Sequence, residues 1–160
     1  MIDWQIDPDV PSQSWPDPAR IETVVRATLA SAGLAHPEQA SITIRVVSDE
    51  TMRALNLQWR KKDDVTDVIS FPMQQGPTFS TDEYLGDIAL GFPFIALEAE
   101  RLGLDLDSHL QHLLVHATLH LIGFDHAEPE ERRRMQQKEK TIMAGLGLHD
   151  PYNTWCQQDS

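Results

Sequence analysis

His116-Ala117-Thr118-Leu119-His120-Leu121-Ile122-Gly123-Phe124-Asp125-His126 is the stretch on which the reading of this chain turns. His116 and His120 stand four positions apart. On an α-helix that spacing separates them by about 40° around the axis and roughly 6 Å along it. Both imidazoles can then face one ion from one side of the helix. Gly123 takes a positive φ without steric cost, so it can end the helix and turn the chain. The turn brings His126 back toward the same point. Three neutral nitrogen ligands with an open fourth position are the pattern of a catalytic zinc site. A lone His-x3-His pair says little, because buried histidines are commonly satisfied by hydrogen bonds alone. The third histidine just beyond a glycine is what carries the metal reading.

Leu110, Leu113, Leu114, Ala117 and Leu121 fall on one helix face, and Val115, Leu119 and Ile122 on another. The polar stripe left over is His109, His112, His116 and His120. A helix apolar nearly all round is a buried one, and its polar stripe needs partners, which a metal supplies directly. His112 is also four positions from His116. His120 is the preferred partner of His116, because only that choice makes use of Gly123 and His126.

The chain has 160 residues, 41% hydrophobic and 24% charged, the composition of an ordinary soluble domain. One metal-binding domain is expected over residues 1–150, followed by a loose polar tail over 151–160. The single cysteine, Cys156, allows no internal disulfide and no cysteine-based zinc site, so His and carboxylate must hold any metal. Met1-Ile2-Asp3-Trp4-Gln5 lacks the basic and apolar regions of a signal peptide, and no apolar run is long enough to span a membrane. The cytoplasm is the expected compartment. The net charge of −12 argues against general nucleic-acid binding and leaves no expectation of a DNA partner. RNA contact needs local basic groups such as Arg60-Lys61-Lys62. Arg132-Arg133-Arg134, with Lys138 and Lys140, reads as a solvated helix face shared with Glu130, Glu131 and Glu139.

Alternation predicts strands at 2–6 and over Ser41 to Val47. A proline-rich connection runs from Pro8 to Pro18. Asp17 caps a helix that Gly33 ends, and Ser48 caps a second helix carrying Met52, Leu55 and Trp59. Further strands are expected from Val65 to Phe71 and from Tyr84 to Gly91, paired antiparallel across a mobile connection. Pro93 opens a helix closed by Gly103, Asp107 or Ser108 caps the histidine helix, and Pro129 opens a last helix ending at Gly145. The fold class is therefore α/β (α+β): a small mixed four-stranded sheet, about five helices, and the histidine helix buried at the centre.

Four segments in order resemble the YbeY family of bacterial rRNA maturation factors. They are Leu55-Asn56-Leu57-Gln58-Trp59-Arg60, Thr66-Asp67-Val68-Ile69-Ser70-Phe71-Pro72, Leu85-Gly86-Asp87-Ile88, and His116 through His126. One departure is Ala117, where the family usually has glycine, a small-for-small change. The resemblance implies a metal-dependent endoribonuclease directed at single strands, acting in processing of ribosomal RNA ends and in ribosome quality control. It implies one zinc per chain on His116, His120 and His126, Arg60 in the active cleft, and the small ribosomal subunit with its assembly factors as partners.

Zinc on three neutral imidazoles keeps most of its charge. It can bring the pKa of water to about 7 or polarise a phosphoryl oxygen. Arg60 is the candidate to stabilise charge that grows on the phosphate, so His116 and Arg60 are placed in the catalytic machinery. Asp87 and Asp125 are candidates to orient a ligand or a water, with a strand-edge role and a turn cap as their plain alternatives. Two rivals stand beside this reading. His-x3-His-x2-Gly-x2-His is also the metzincin protease spacing, but Ala117 occupies the position of those enzymes' glutamate base. Alternatively the chain is a non-catalytic assembly factor whose structural zinc is closed by His112, Asp87 or Asp125.

Overall fold

The computed structural model describes residues 1–10, 17–76 and 78–152. Much of the proline-rich connection, Pro77, and the tail from 153 onward with Cys156 lie outside the described residues. The elements are β1 (Ile2–Ile6), α1 (Pro18–Ser31), β2 (Ser41–Val47), α2 (Asp49–Arg60), β3 (Val68–Pro72), β4 (Tyr84–Gly91), α3 (Phe92–Leu102), α4 (Leu106–Leu121) and α5 (Pro129–Gly145). The strands form one mixed sheet in the order β1-β2-β4-β3. β1-β2 and β2-β4 are parallel, and β3 pairs antiparallel with β4 at the edge.

Strand alternation decides which helices cover which face. Ile42, Ile44 and Val46 of β2 and Ile88 and Leu90 of β4 point into the main core with α1, α4 and α5. Val47, Ile69 and Ala89 point to the other face, under Met52 of α2. α4 lies across the first face, and ten of its sixteen residues are buried, as an all-round apolar helix requires. The edge strand β3 is tied to it by the Ser70 hydroxyl, which donates to the Ala117 carbonyl at 2.9 Å. Gly86 (φ +143°) sits where β4 passes close beneath Phe71 and Leu121. A Cβ there would strike the Phe71 carbonyl and come within 2.9 Å of the Leu121 side chain.

Several expectations are corrected. α4 is capped by Asp105, whose carboxylate accepts from the Ser108 N–H, and not by Asp107 or Ser108. β3 starts at Val68, not Val65. Asp64 and Asp67 each accept the N–H of the following residue, and those local turns displace the ladder. The β3–β4 connection, expected to be mobile, is cross-linked by Gln74, whose amide donates to the Ser80 carbonyl at 2.8 Å and accepts from the Ser80 N–H at 2.9 Å. No helix among the described residues is long and apolar enough to cross a membrane.

Candidate metal centre

His116 and His120 project from the C-terminal half of α4. The helix then stops at Ile122, Gly123 takes φ +96°, and the chain doubles back to His126. The Phe79 ring lies 3.1 Å from where a Gly123 Cβ would be, so a side chain there is opposed both by backbone strain and by packing. One nitrogen from each of His116, His120 and His126 lies within 4.8 Å of the others. The Nε2 atoms of His116 and His120 are 3.2 Å apart. A tetrahedral ion with Zn–N bonds of about 2.0–2.1 Å separates its ligands by about 3.3–3.4 Å, so these two nitrogens already stand at the spacing such an ion needs.

The opposite edges of the rings explain the orientation. His116 directs Nδ1 at Oε1 of Glu139, 3.1 Å away, and His120 directs Nδ1 at the Phe124 carbonyl, 2.9 Å away. If each Nδ1 carries the ring proton and donates it, each Nε2 presents a lone pair to the ion, as a metal-binding imidazole requires. Burial, reinforced by the charges of His116 and His126, holds the His120 imidazole well down, to about 4. It therefore stays neutral and available as a ligand at physiological pH. The donor set fits a zinc-type ion. Among the described residues no fourth His, Cys, Asp or Glu joins the group.

Glu139 is the residue that sequence reasoning missed. The charge pattern of α5 places it on a solvated face, yet its side chain is fully buried. Oε1 receives His112 Nε2 at 2.9 Å and His116 Nδ1 at 3.1 Å, and Oε2 receives the Tyr152 hydroxyl at 2.8 Å. Burial alone would raise its pKa, but the hydrogen bonds from His112 and His116 outweigh burial and bring it to about 2. The signal was present in the sequence. Met135, Glu139, Ile142 and Met143 share one helical stripe, and all four are buried. The polar stripe on α4 is likewise not served by a metal alone: His109 is held by Glu98 at 2.7 Å and His112 by Glu139.

A cavity of about 670 Å³ opens beside the histidines, between the β3 edge, the turn before it and α4. Arg60, the last residue of α2, lines it together with His116, His120, His126 and Asp125. The Asp125 carboxylate accepts the His126 N–H at 2.7 Å, which matches a turn cap that also fixes the third histidine. Asp87 is not brought to this site. It has the strand parity of Ala89 and so lies on the sheet face away from α4, where it accepts from the Tyr84 hydroxyl.

Fold and site together define a small mixed-sheet domain with a candidate three-histidine metal centre opening on a cavity. A family profile described as Endoribonuclease YbeY matches residues 11–147. A protein named Endoribonuclease YbeY from Azorhizobium caulinodans is 41% identical over 152 residues, covering 92% of this chain and 96% of its own. One of the same name from Xylella fastidiosa is 44% identical over 117 residues, 71% of this chain and 73% of its own. The solution structure of TM1509 from Thermotoga maritima superposes with a TM-score of 0.52 at 19% identity, over 96% of this chain and 100% of that one. That likeness speaks to the fold alone. The chain belongs to the Endoribonuclease YbeY family.

Proposed function

We propose that this protein is a zinc-dependent endoribonuclease that cleaves single-stranded RNA by hydrolysis, with ribosomal RNA in the small-subunit assembly pathway of the cytoplasm as its substrate. The observation that carries the reading is the convergence of three imidazole nitrogens within 4.8 Å, each of two rings anchored through its far nitrogen, on a cavity that Arg60 also lines. His116, His120 and His126 hold the metal. When bound, zinc supplies positive charge that acidifies water and polarises a phosphoryl oxygen. Arg60 meets the negative charge that grows on the phosphate as it is cleaved, and its planar fork can do so through two parallel hydrogen bonds. Glu139 and the Phe124 carbonyl keep two ligand rings in the required tautomer. The name shared by the relatives supports RNA as the substrate class.

The rival in which zinc only fixes the fold calls for a fourth protein ligand. His112 is instead engaged by Glu139, Asp125 by the His126 N–H, and Asp87 lies across the sheet. The protease rival lacks its base, since Ala117 is fully buried in the core.

The test is cleavage of single-stranded and hairpin RNA by metal-stripped and zinc-reloaded protein. Activity is expected only after reloading, and mainly on the single strand; equal activity in a chelator would overturn the metal role. Arg60 is exposed at the end of its helix, so Arg60→Lys should leave melting and zinc content unchanged. Loss of the bidentate contact should slow cleavage by up to about 10²–10³-fold. A parental rate in Arg60→Lys and Arg60→Glu alike would remove Arg60 from the machinery.

A further inference from the structure

A second groove begins where the metal cavity ends. Phe124 lines both: on one side the cavity of the three histidines, on the other a groove of about 620 Å³ between Ala32, at the end of α1, and the outer face of α5. Arg133, Arg134 and Lys138 line that groove against a single carboxylate, Glu130. In the whole chain 25 Asp and Glu stand against 13 Lys and Arg, so the local balance reverses the global one. The cations are also held in place. The Arg134 guanidinium sits 6.0 Å from the centroid of the Phe124 ring, and Arg134 lines the adjoining hollow over Gly123 and Asp125 of the histidine turn as well. Lys138 gives one hydrogen to the Ser31 carbonyl at 3.1 Å, and an ammonium keeps two more. Arg133 and Arg134 are exposed. Among the described residues neither has a carboxylate within ion-pair distance. The arginine triplet that reads in sequence as a solvated face is thus divided: Arg133 and Arg134 border the groove, and Arg132 does not.

We infer that this groove carries the single-stranded RNA on one side of the scissile phosphate, with Arg133, Arg134 and Lys138 holding its backbone. This rests on the endoribonuclease reading and adds the path of the strand. A chain of net charge −12 repels a polyanion at long range, so a strand can lie only where cations locally outnumber acids. The groove is such a place, and through Phe124 it is continuous with the cavity of the histidines. Arg134 and Lys138 stand one helical turn apart, about 6 Å along the axis, far enough to meet separate phosphates. Gln137 and Thr141, which line the groove beside them, offer the polar hydrogens that phosphate and sugar oxygens accept. Contacts of this kind fix the position of a strand without reading its bases. An acidic protein segment would meet the same cations, but continuity with the metal cavity favours the polymer that is cut there.

The test is binding of a fluorescein-labelled, single-stranded 2′-O-methyl oligoribonucleotide to the zinc-loaded full chain, followed by anisotropy over a series of salt concentrations. Each phosphate neutralised on a single strand adds about 0.7 to the slope of log K against log salt. Arg133→Gln together with Arg134→Gln should make the slope shallower by about 1.4 and weaken binding about 10–30-fold near 0.1 M salt. Lys138 is kept, because its bond to Ser31 ties α5 to α1. Both arginines are exposed, so zinc content and melting should not move. Should the pair unfold the chain, either single substitution serves, with half the change in slope. Arg132→Gln removes the same charge from the same helix outside the groove, and should leave the slope at the parental value. Cleavage gives a second readout. The double variant should raise KM for an oligoribonucleotide with kcat retained, and leave a dinucleoside monophosphate, too short to reach the groove, unchanged. Equal slopes in parent and double variant, the same loss in Arg132→Gln, or equal losses on long and short substrates would overturn the assignment. A polyglutamate peptide bound by the parent and lost by the double variant, with the RNA slope unchanged, would give the groove to an acidic protein instead. A shallower slope in the double variant beside a zinc-loaded parent that cleaves no RNA would defeat the endoribonuclease reading and leave the groove as a strand-binding surface.

Discussion

His112 and His116 lie one turn apart on the same stripe of α4, and both reach the same oxygen of Glu139, yet they present opposite edges to it. His112 offers Nε2 at 2.9 Å and His116 offers Nδ1 at 3.1 Å. The ring that spends its distal nitrogen on the carboxylate becomes a strut. The ring that spends its proximal nitrogen keeps the distal one for the cavity, 3.2 Å from that of His120. Residue type and spacing are identical in the two halves of the helix. What separates a candidate ligand from a strut is which ring edge the neighbouring carboxylate touches, and that is decided by where α5 places Glu139 along α4.

The largest effects come from breaking the ligand half alone. His126→Ala, like His116→Ala or His120→Ala, should abolish stoichiometric zinc by atomic emission. The stabilisation that zinc gives the parent, about 2.7 kcal/mol at a free concentration 100-fold above Kd, should vanish with it. His112→Ala should retain one zinc per chain. If His112→Ala lost the metal and His126→Ala kept it, the ligand set would be shifted by one turn.

Glu139 belongs to both halves, so its removal should damage both. Glu139→Ala leaves His112, His116 and Tyr152 without their buried acceptor. Metal-free protein should lose about 3–5 kcal/mol in urea denaturation, the usual cost of stripping a buried charged group from its partners. Zinc affinity should fall about 10–100-fold as His116 loses its orientation. A loss of affinity with unchanged metal-free stability would mean that Glu139 serves the ligand half only.

How far the sequence could be read follows the same division. The convergence of the three histidines was legible because it is local: His116, His120, Gly123 and His126 fall within a turn and a half of helix and one tight turn. The strand Tyr84–Gly91 and the helix Pro129–Gly145 were legible for the same reason. The struts were not, because each is set by tertiary packing: Glu139 is 27 positions from His112, and Glu98 is 11 from His109. A glutamate among arginines and lysines reads as solvated until its place on the Met135–Ile142 stripe is noticed. Asp87 misled in the opposite sense, since a motif match carries no information about which face of a strand a side chain occupies.

Acid should separate the two kinds of group in metal-free protein. The His120 imidazole is depressed from 6.5 to about 4 by burial and by its histidine neighbours, and burial also lowers His112. As pH falls below 6.5, the unfolded chain takes up protons that the folded chain refuses. Stability is therefore lost as pH drops toward 4. Glu139, depressed from 4.5 to about 2, contributes stability that is lost only below 4.5. Urea midpoints measured in a chelator should fall in two stages, and His120→Gln should flatten the upper stage while leaving the lower. A single stage confined below 4.5 would show that the histidines carry no such linkage.

The smallest effect sharpens the comparison most, because it touches a strut without touching a ligand. The Tyr152 hydroxyl donates to Oε2 of Glu139 at 2.8 Å, whereas both histidines use Oε1. Tyr152→Phe keeps the ring that packs edge-on against His112, 5.7 Å between centroids, and removes one donor to a buried carboxylate. The expected cost is about 1–3 kcal/mol in urea denaturation, the range for a hydrogen bond to a charged group. Glu139 remains ionised and His116 remains oriented, so zinc affinity should change by less than tenfold. If Tyr152→Phe weakened zinc as strongly as Glu139→Ala, Oε2 would be setting the carboxylate's position for the ligand edge as well. The strut and the ligand would then be one cooperative unit spanning both oxygens, and not two functions divided between them.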